Sequence, residues 1–219
     1  MIEIVKPNWE WIIPPTKDIP AILERCGRTC YKSECRITED SAEKFVRMIC
    51  RNHHESVLEH VSLTARLVCS RACSHQLVRH RIGAYSQESM RYCNYGKHGR
   101  LKVICPPSIG LPPGLYQQWG MGDYYVRQKA WVSLVSQCYD EYNSQLGEGA
   151  KPEDARFVLP NATKTEVVAT YNLRMWRHVI RERALNPKAQ WEIRYLFGDI
   201  ADNLRWQLPC VFEDLFDDA

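Results

Sequence analysis

Apolar residues recur along this chain with two periods. Alternation at every second residue marks strands with one buried face, whereas spacings of three and four mark helices with an apolar stripe. Residues 2–6 (IEIVK) alternate and predict a first strand that Pro7 ends. Residues 20–28 predict a short helix with Ile19, Ile22 and Leu23 on one side. Thr38 reads as the N-cap of a helix running through Phe45, Met48 and Ile49, with Glu39 and Asp40 in its first turn. Residues 61–69 (VSLTARLVC) alternate as a strand, and a helix follows from Arg71. A short strand at 101–105 is stopped by Pro106-Pro107, and the Pro- and Gly-rich stretch 108–122 reads as a surface excursion. Residues 124–146 predict a long helix with Ala130, Leu134, Cys138 and Tyr142 along one face. Pro152 opens a short helix that contains Arg156 and ends at Pro160. Residues 164–171 alternate as a further strand, and Asn172 begins a helix. The last helix, from Ala189 through Trp191, Ile193, Leu196, Phe197, Ile200 and Leu204, is strongly amphipathic and belongs to a core or an interface.

Composition narrows the function classes. A chain of 219 residues is most simply one domain, able to bury about 70% of its unfolded surface. The net charge of +3 is too small to argue for nucleic acid, but arginines are dense at 79–100 and 174–183, which suits a local anionic ligand. The N-terminal stretch MIEIVKPNWEWIIPP has no signal-peptide pattern, and no apolar run approaches the roughly 20 residues that span a membrane. A cytosolic protein is expected, with neither membrane nor nucleic acid as partner. Ten cysteines lack CxxC spacing and read as reduced, mostly buried apolar residues. The stretch 53–60 (HHESVLEH) puts His54 and His60 six apart, so the helical i, i+4 zinc pattern is absent and no metal site is expected. Gly120-x-Gly122 is too little for a dinucleotide fingerprint, and no Walker loop is present.

Chemistry concentrates at 76–92 (QLVRHRIGAYSQESMRY). The first half reads as the end of a helix, where Gln76 and Arg79 share a face at about 100° per residue. Arg79, His80 and Arg81 fan apart on such a helix, so as ligand contacts they serve two ligands. Beyond Gly83 an extended chain puts Gln87, Ser89 and Arg91 on one side and Glu88 on the other. These groups offer charge and donors to a phosphate, and amides to the edge of a base. The plain alternative is a solvated basic face at a helix C-terminus, where each charge gains about 0.3–1 kcal/mol from the macrodipole.

Arg79-His80-Arg81 followed after seven residues by Ser89, with Gln76 before and Arg91-Tyr92 after, resembles the signature of the flavin-dependent thymidylate synthases. Blocks at 54–60, 155–160 (ARFVLP) and 172–192 resemble the same family, so the likeness covers most of the chain. The expected architecture is a single α+β domain over 1–219, a central antiparallel sheet flanked by helices. The resemblance implies a homotetramer with active sites shared between subunits. It implies conversion of dUMP to dTMP with FAD as cofactor, and with 5,10-methylenetetrahydrofolate and NADPH as co-substrates. It puts His54 and Ser56, and less directly Glu59, on the flavin, together with Arg79, His80, Arg81, Gln87, Asn172, Arg174 and His178. It puts Gln76, Arg79 and Arg183 on uracil and Ser89, Arg91 and Arg156 on phosphate, with Gln87, Glu88 and Met90 completing the nucleotide stretch. Arg183 carries the catalytic role. The family often has Asn-Glu where this chain has Ser86-Gln87, which leaves any carboxylate role at 87 to the amide or to Glu88.

Arg174, His178 and Arg181 fall at i, i+4 and i+7, whereas Arg183 lies about 180° from Arg174 on one continuous helix. If that helix lies between subunits, Arg183 reaches uracil bound largely by a neighbouring chain. Two rival readings are a colourless nucleic-acid-binding module using the same arginines, and a cysteine-dependent methylase suggested by Leu208-Pro209-Cys210. The acidic tail, EDLFDDA, carries no evident chemistry.

Overall fold

The computed structural model describes residues 1–117 and 123–217; the Gly120-x-Gly122 pair and the last two residues of the acidic tail lie outside them. Among the described residues the strands are β1 (Ile2–Ile4), β2 (Asn8–Ile13), β3 (Ser62–Ser70), β4 (Ala84–Gln87), β5 (Leu101–Val103), β6 (Gly114–Tyr116) and β7 (Lys164–Asn172). The helices are α1 (Ile19–Thr29), α2 (Ser41–Arg51), α3 (Arg71–Leu77), α4 (Val126–Gly147), α5 (Pro152–Ala155), α6 (Leu173–Ile180), α7 (Trp191–Gln207) and α8 (Pro209–Phe212). Strand orders are β5-β1-β6 in one sheet and β2-β3-β7-β4 in the other. The chain is α+β, as expected, but its smaller sheet is mixed: β1 runs antiparallel to β6 and parallel to β5.

The chain divides into two compact units, each assembled from separate stretches. The first comprises Met1–Asn8, Val68–Gln76 and Ser86–Val167. Here Ile2 and Ile4 pair in register with Leu101 and Val103, and all four are buried in one cluster with Val132, Val135, Tyr139 and Tyr142 of α4. The face expected for α4 is therefore corrected: Leu134 is 61% exposed and Ala130 is also exposed. A strict spacing of four drifts about 40° per step around a 3.6-residue helix, whereas the buried set at 128, 132, 135, 139 and 142 alternates four and three and stays on one side. Strand β6, inside the stretch read as a surface excursion, was hidden by its three-residue length after Pro112-Pro113.

The second unit comprises Trp9–Leu67, Leu77–Tyr85 and Val168–Ala219. Strand β2 follows directly on Pro7, which the sequence pattern marks only as the end of β1. In it, Trp9 and Trp11 donate their indole N–H groups to Asp199 (2.8 Å) and Asn203 (3.0 Å) of α7. Between them Glu10 pairs with Arg66. Trp11 and Tyr171 each pack edge-on against the buried Trp176, which also meets Phe197. Helix α2 starts later than expected, with Asp40 at its N-cap; Thr38 instead exchanges hydrogen bonds with Ser41.

The charge centre of this unit is Arg177, which was not singled out in the sequence. Its side chain is 0% exposed. Nε donates to Glu55 (2.9 Å), the two Nη groups grip both carboxylate oxygens of Asp214 (2.6 Å each), and Nη1 also reaches the Val211 carbonyl. The acidic tail thus has a structural role, since Glu213 pairs with Arg47 as well. Burial opposes ionisation of Asp214, but the bonds from Arg177 outweigh it and hold its carboxyl below the usual range. Arg177→Ala leaves buried carboxylates unanswered and should cost about 3–5 kcal/mol, read by urea unfolding. Because the folded pKa of Asp214 is depressed, its contribution is full above the unfolded value of about 3.9 and is lost as pH falls through the folded value. Wild-type stability should therefore fall with acidification below about pH 4, and Asp214→Asn should flatten that fall.

Candidate functional site

The signature stretch leaves its helix earlier than periodicity suggested. Helix α3 ends at Leu77, so Arg79, His80 and Arg81 lie beyond it, and Gln76 and Arg79 do not share a helical face. Arg79 and Arg81 are exposed, whereas His80 is only 6% exposed. Strand β4 then returns the chain, with the Tyr85 hydroxyl 2.6 Å from the His80 carbonyl and 2.7 Å from the Tyr171 hydroxyl. Gly83 permits this approach, because a Cβ there would sit 2.4 Å from the Tyr171 ring.

His80 is the meeting point of two residues expected on opposite faces. Arg183 Nε donates to His80 Nε2 at 2.9 Å, and the His178 ring lies edge-on to the His80 ring at 5.7 Å. The expectation that Arg183 points away from His178 is thus corrected. Helix α6 stops at Ile180, and Arg181–Leu185 form a π-helical turn, so the step of about 100° per residue does not carry through to 183. Burial first, then the charge of Arg183 and the neighbouring His178, lower the His80 pKa to about 4. A neutral ring accepting at Nε2 carries its proton on Nδ1.

The flavin candidates other than Gln87 gather in the second unit. A cavity of about 640 Å³ is lined by Arg79, His80, Arg81, Asn172, Arg174 and His178, with Arg181, Glu55 and Glu59. Four arginines face two carboxylates there, and the surplus of guanidinium donors fits the two charges of a dinucleotide's diphosphate. A neighbouring cavity of about 1130 Å³ contains His54 and Ser56, both exposed, and shares Glu55 and Arg174 with the first. Arg174 Nη1 donates to Glu59 at 2.6 Å. Asn172 caps α6, its Oδ1 accepting the Met175 N–H at 2.8 Å.

The nucleotide candidates other than Arg79 and Arg183 belong to the first unit. The extended run expected beyond Gly83 ends at Gln87, and residues 90–92 turn, so Gln87, Ser89 and Arg91 do not share a strand side. Gln87 donates its amide to Ser74 (3.0 Å) and Thr165 (3.2 Å). Glu88 accepts from Lys164 at 3.2 Å, and the Ser89 hydroxyl accepts the Arg91 N–H at 3.3 Å. Glu153 draws two arginines together: its carboxylate accepts from Arg91 Nε and its carbonyl from Arg156 Nε, both at 3.0 Å. Arg156 and the buried Met90 line a cavity of about 410 Å³, a lining that includes neither Ser89 nor Arg91. Gln76 is half-buried in the last turn of α3.

Sequence reading missed Arg177 and the role of Glu55, and it put Arg181 on the basic face with Arg174 and His178 without a ligand. A signal was present, since Arg177 occupies the apolar register of α6 set by Leu173, Trp176 and Ile180. The cysteine expectation needs adjustment too. None of the ten is in a disulfide, but only Cys50, Cys69, Cys73 and Cys210 are buried, and Cys30, Cys35 and Cys93 are exposed. Burial, with the charge of Glu43 adding to it, pushes the Cys210 thiol up to about 12. That opposes the thiolate a covalent methylase would need.

A family model described as thymidylate synthase complementing protein (Thy1) matches residues 12–210. A flavin-dependent thymidylate synthase of Thermococcus onnurineus is 38% identical over 183 residues, covering 78% of this chain and 69% of that protein. One from Geobacter sulfurreducens is 35% identical over 210 residues, covering 93% and 84% respectively. The fold is similar to the crystal structure of a UMP/dUMP methylase, PolB, from Streptomyces cacaoi, with a TM-score of 0.73, 23% identity, and 97% and 96% of the two chains covered.

With a folded-state pKa near 4, His80 should remain neutral in an NMR titration of its imidazole from pH 8 down to about pH 5. Its unfolded value is near 6.5, so protonation favours the unfolded chain, and the stability it contributes falls as pH drops from about 6.5 towards 4. Arg183→Met, which removes the second cause of the shift, should move the titration upward.

Proposed function

We infer the division of labour at this site from one premise: the chain belongs to the flavin-dependent thymidylate synthase family. It is an FAD-dependent enzyme that reductively methylates dUMP to dTMP, with 5,10-methylenetetrahydrofolate as carbon donor and NAD(P)H as source of reducing equivalents. Bound FAD supplies the hydride chemistry; the chain's own residues bind, orient and stabilise charge.

Arg79, Arg81 and Arg174, with His178, hold the flavin's diphosphate, and His54, Ser56 and Asn172 complete its contacts. Ser89, Arg91 and Arg156 bind the nucleotide phosphate. Gln76, Gln87, Glu88 and Met90 shape the stretch that presents the pyrimidine. Arg183 stabilises negative charge developing on the ring near N3 and its carbonyls, which activates C5 towards the methylene donor. The observation that carries this role is the bond from Arg183 Nε to His80. The buried imidazole borders the flavin cavity and accepts one N–H from below, which fixes the plane of the guanidinium and leaves its Nη groups to grip a carbonyl. A neutral partner also leaves the positive charge of Arg183 undiluted.

We extend the reading to one domain over 1–219 that assembles as a homotetramer with sites shared between subunits. Two features support this. Each compact unit is completed only by several separate stretches of chain. Helix α4 exposes Val126 and Leu134 on faces that a monomer leaves in water. We extend the reading also to a cytosolic setting, which suits ten cysteines held as thiols. No helix among the described residues is long and apolar enough to cross a membrane.

Purified protein should be yellow, and its flavin absorbance should bleach with NADPH under anaerobic conditions. A colourless protein unable to take up FAD would sink the reading. Arg183→Ala should keep its flavin spectrum yet lose dTMP formation by about 10²–10³-fold, the range for one preorganised charge-stabilising donor. Near-normal turnover would remove its catalytic role. Cys210→Ser should retain substantial dTMP synthesis, and a folded, FAD-bearing but inactive variant would instead revive the covalent route.

A further inference from the structure

Between Leu77, where α3 ends, and Tyr85 on β4, His80 is the one buried residue; Val78, Arg79 and residues 81–84 are all exposed. A loop that keeps its side chains in water has few contacts to define its path. This one is tied at His80, whose backbone uses both of its polar groups. The N–H donates to the Leu77 carbonyl at 3.2 Å, and the carbonyl accepts from the Tyr85 hydroxyl at 2.6 Å. The same hydroxyl lies 3.1 Å from the Leu77 carbonyl.

Hydrogen counting sets the direction of these bonds. Tyr85 has a single hydroxyl hydrogen, and a carbonyl can only accept, so that hydrogen goes to the carbonyls. The Tyr85 oxygen is then left to accept, and Tyr171 donates to it across 2.7 Å. Tyr171 is 1% exposed, and its hydroxyl has no other hydrogen-bond partner among the described residues. Its ring packs edge-on against Tyr85 at 5.8 Å and against Trp176 at 5.0 Å, so β7 presents the donor on a packed support. A continuous line of bonds thus runs from Tyr171 through Tyr85 to the His80 backbone, and the His80 ring accepts Arg183 at 2.9 Å.

We propose that Tyr85, steadied by Tyr171, is a positioning residue for Arg183: its hydroxyl fixes the loop that carries His80, and the His80 ring fixes the guanidinium. The inference rests on the reading of Arg183 as the group that stabilises charge on the pyrimidine, and extends it from the arginine to its support. No other buried side chain holds this loop. Without the Tyr85 bond the His80 carbonyl loses its partner and the ring is free to drift. Arg183 then keeps its charge but loses its aim. Arg79 and Arg81 flank His80 on the same loop, so the tyrosine pair holds the flavin-side cations and Arg183 in one frame.

The test uses FAD-saturated protein and reads kcat and KM for dUMP, the melting temperature and the NMR titration of His80. Tyr85→Phe keeps the ring contacts and removes only the hydroxyl. It should lower kcat roughly tenfold with little change in KM, the pattern of a misaimed group rather than of lost substrate binding. Its His80 titration should move upward from about 4, because a loosened ring is better hydrated and farther from Arg183. It should also melt lower, since it strands the buried Tyr171 hydroxyl. Tyr171→Phe spares both carbonyl bonds and should lose less activity. The double variant separates positioning from plain stability. With no stranded hydroxyl it should melt above Tyr85→Phe, yet keep that variant's kcat and His80 titration. In an Arg183→Ala background, Tyr85→Phe should lower kcat no further. Three results overturn the inference and leave the assigned reaction standing: wild-type kcat in Tyr85→Phe, kcat recovering together with the melting temperature in the double variant, or a full additional loss on Arg183→Ala. Near-normal turnover by Arg183→Ala overturns the reading of Arg183 and the inference with it.

Discussion

A guanidinium with no exposed surface must be answered by carboxylates in the folded chain, because an unpaired buried charge costs several kcal/mol. Arg177 is answered by Glu55 from the 3-10 turn Glu55–His60 and by Asp214 from the turn Glu213–Phe216. The residues proposed to meet the flavin flank these partners in sequence. His54 and Ser56 adjoin Glu55, while Arg174 and His178 lie within one turn of Arg177 on α6. Glu55 also accepts from Arg181 at 3.4 Å. One buried ion pair therefore sets the register of α6 against the 3-10 turn, and the exposed cations inherit their positions from it.

Four other buried groups of the second unit, His80, Cys50, Cys210 and Tyr171, are treated in the opposite way, with burial disfavouring their charged forms. Burial is the first cause of the lowered pKa of His80 and of the raised values of Cys50, Cys210 and Tyr171. The distinction follows chemistry. Arginine cannot give up its proton in a protein and must be paired, whereas a histidine or a thiol can shed the cost of burial by changing its protonation state. The positive charge around the His80 cavity is thus carried by arginines whose sign is independent of pH, while His80 itself stays a neutral partner of Arg183.

Most of the longer elements were legible because their apolar periods are set by burial on one face. β3, β7, α6 and α7 fall within a few residues of their predicted limits. Several misses arise where a local rule is overruled by a partner that the rule does not consider. Pro7 should end a strand, yet the next residues pair again because Trp9 and Trp11 find α7. Thr38 looks like a cap, but Ser41 takes its backbone bonds. The tail looked inert because an acidic run is legible only as solvation until Arg177 and Arg47 are known to reach it. At the site, the resemblance pointed to the arginine triplet and to Arg183, but not to the meeting of Arg183 with His80. That contact depends on a wider turn at Arg181–Leu185, which a fixed angle per residue cannot anticipate.

The interleaving of the two units has a consequence for synthesis. The chain passes from one unit to the other between residues 8 and 9, 67 and 68, 76 and 77, 85 and 86, and 167 and 168. Neither unit is one contiguous segment: the first is complete only when residue 167 has emerged, after two stretches of the second, and the second still needs residues 168–219, so the two are not made one after the other as tandem domains are on the ribosome. Arg177 must wait for Asp214, 37 residues later, before the better of its two counter-charges exists. Until then α6 carries among its apolar residues a guanidinium that Glu55 alone can answer, and burying it there costs more than in the finished fold. The same buried charge that fixes the finished site thus delays its assembly until the order of translation has supplied every piece.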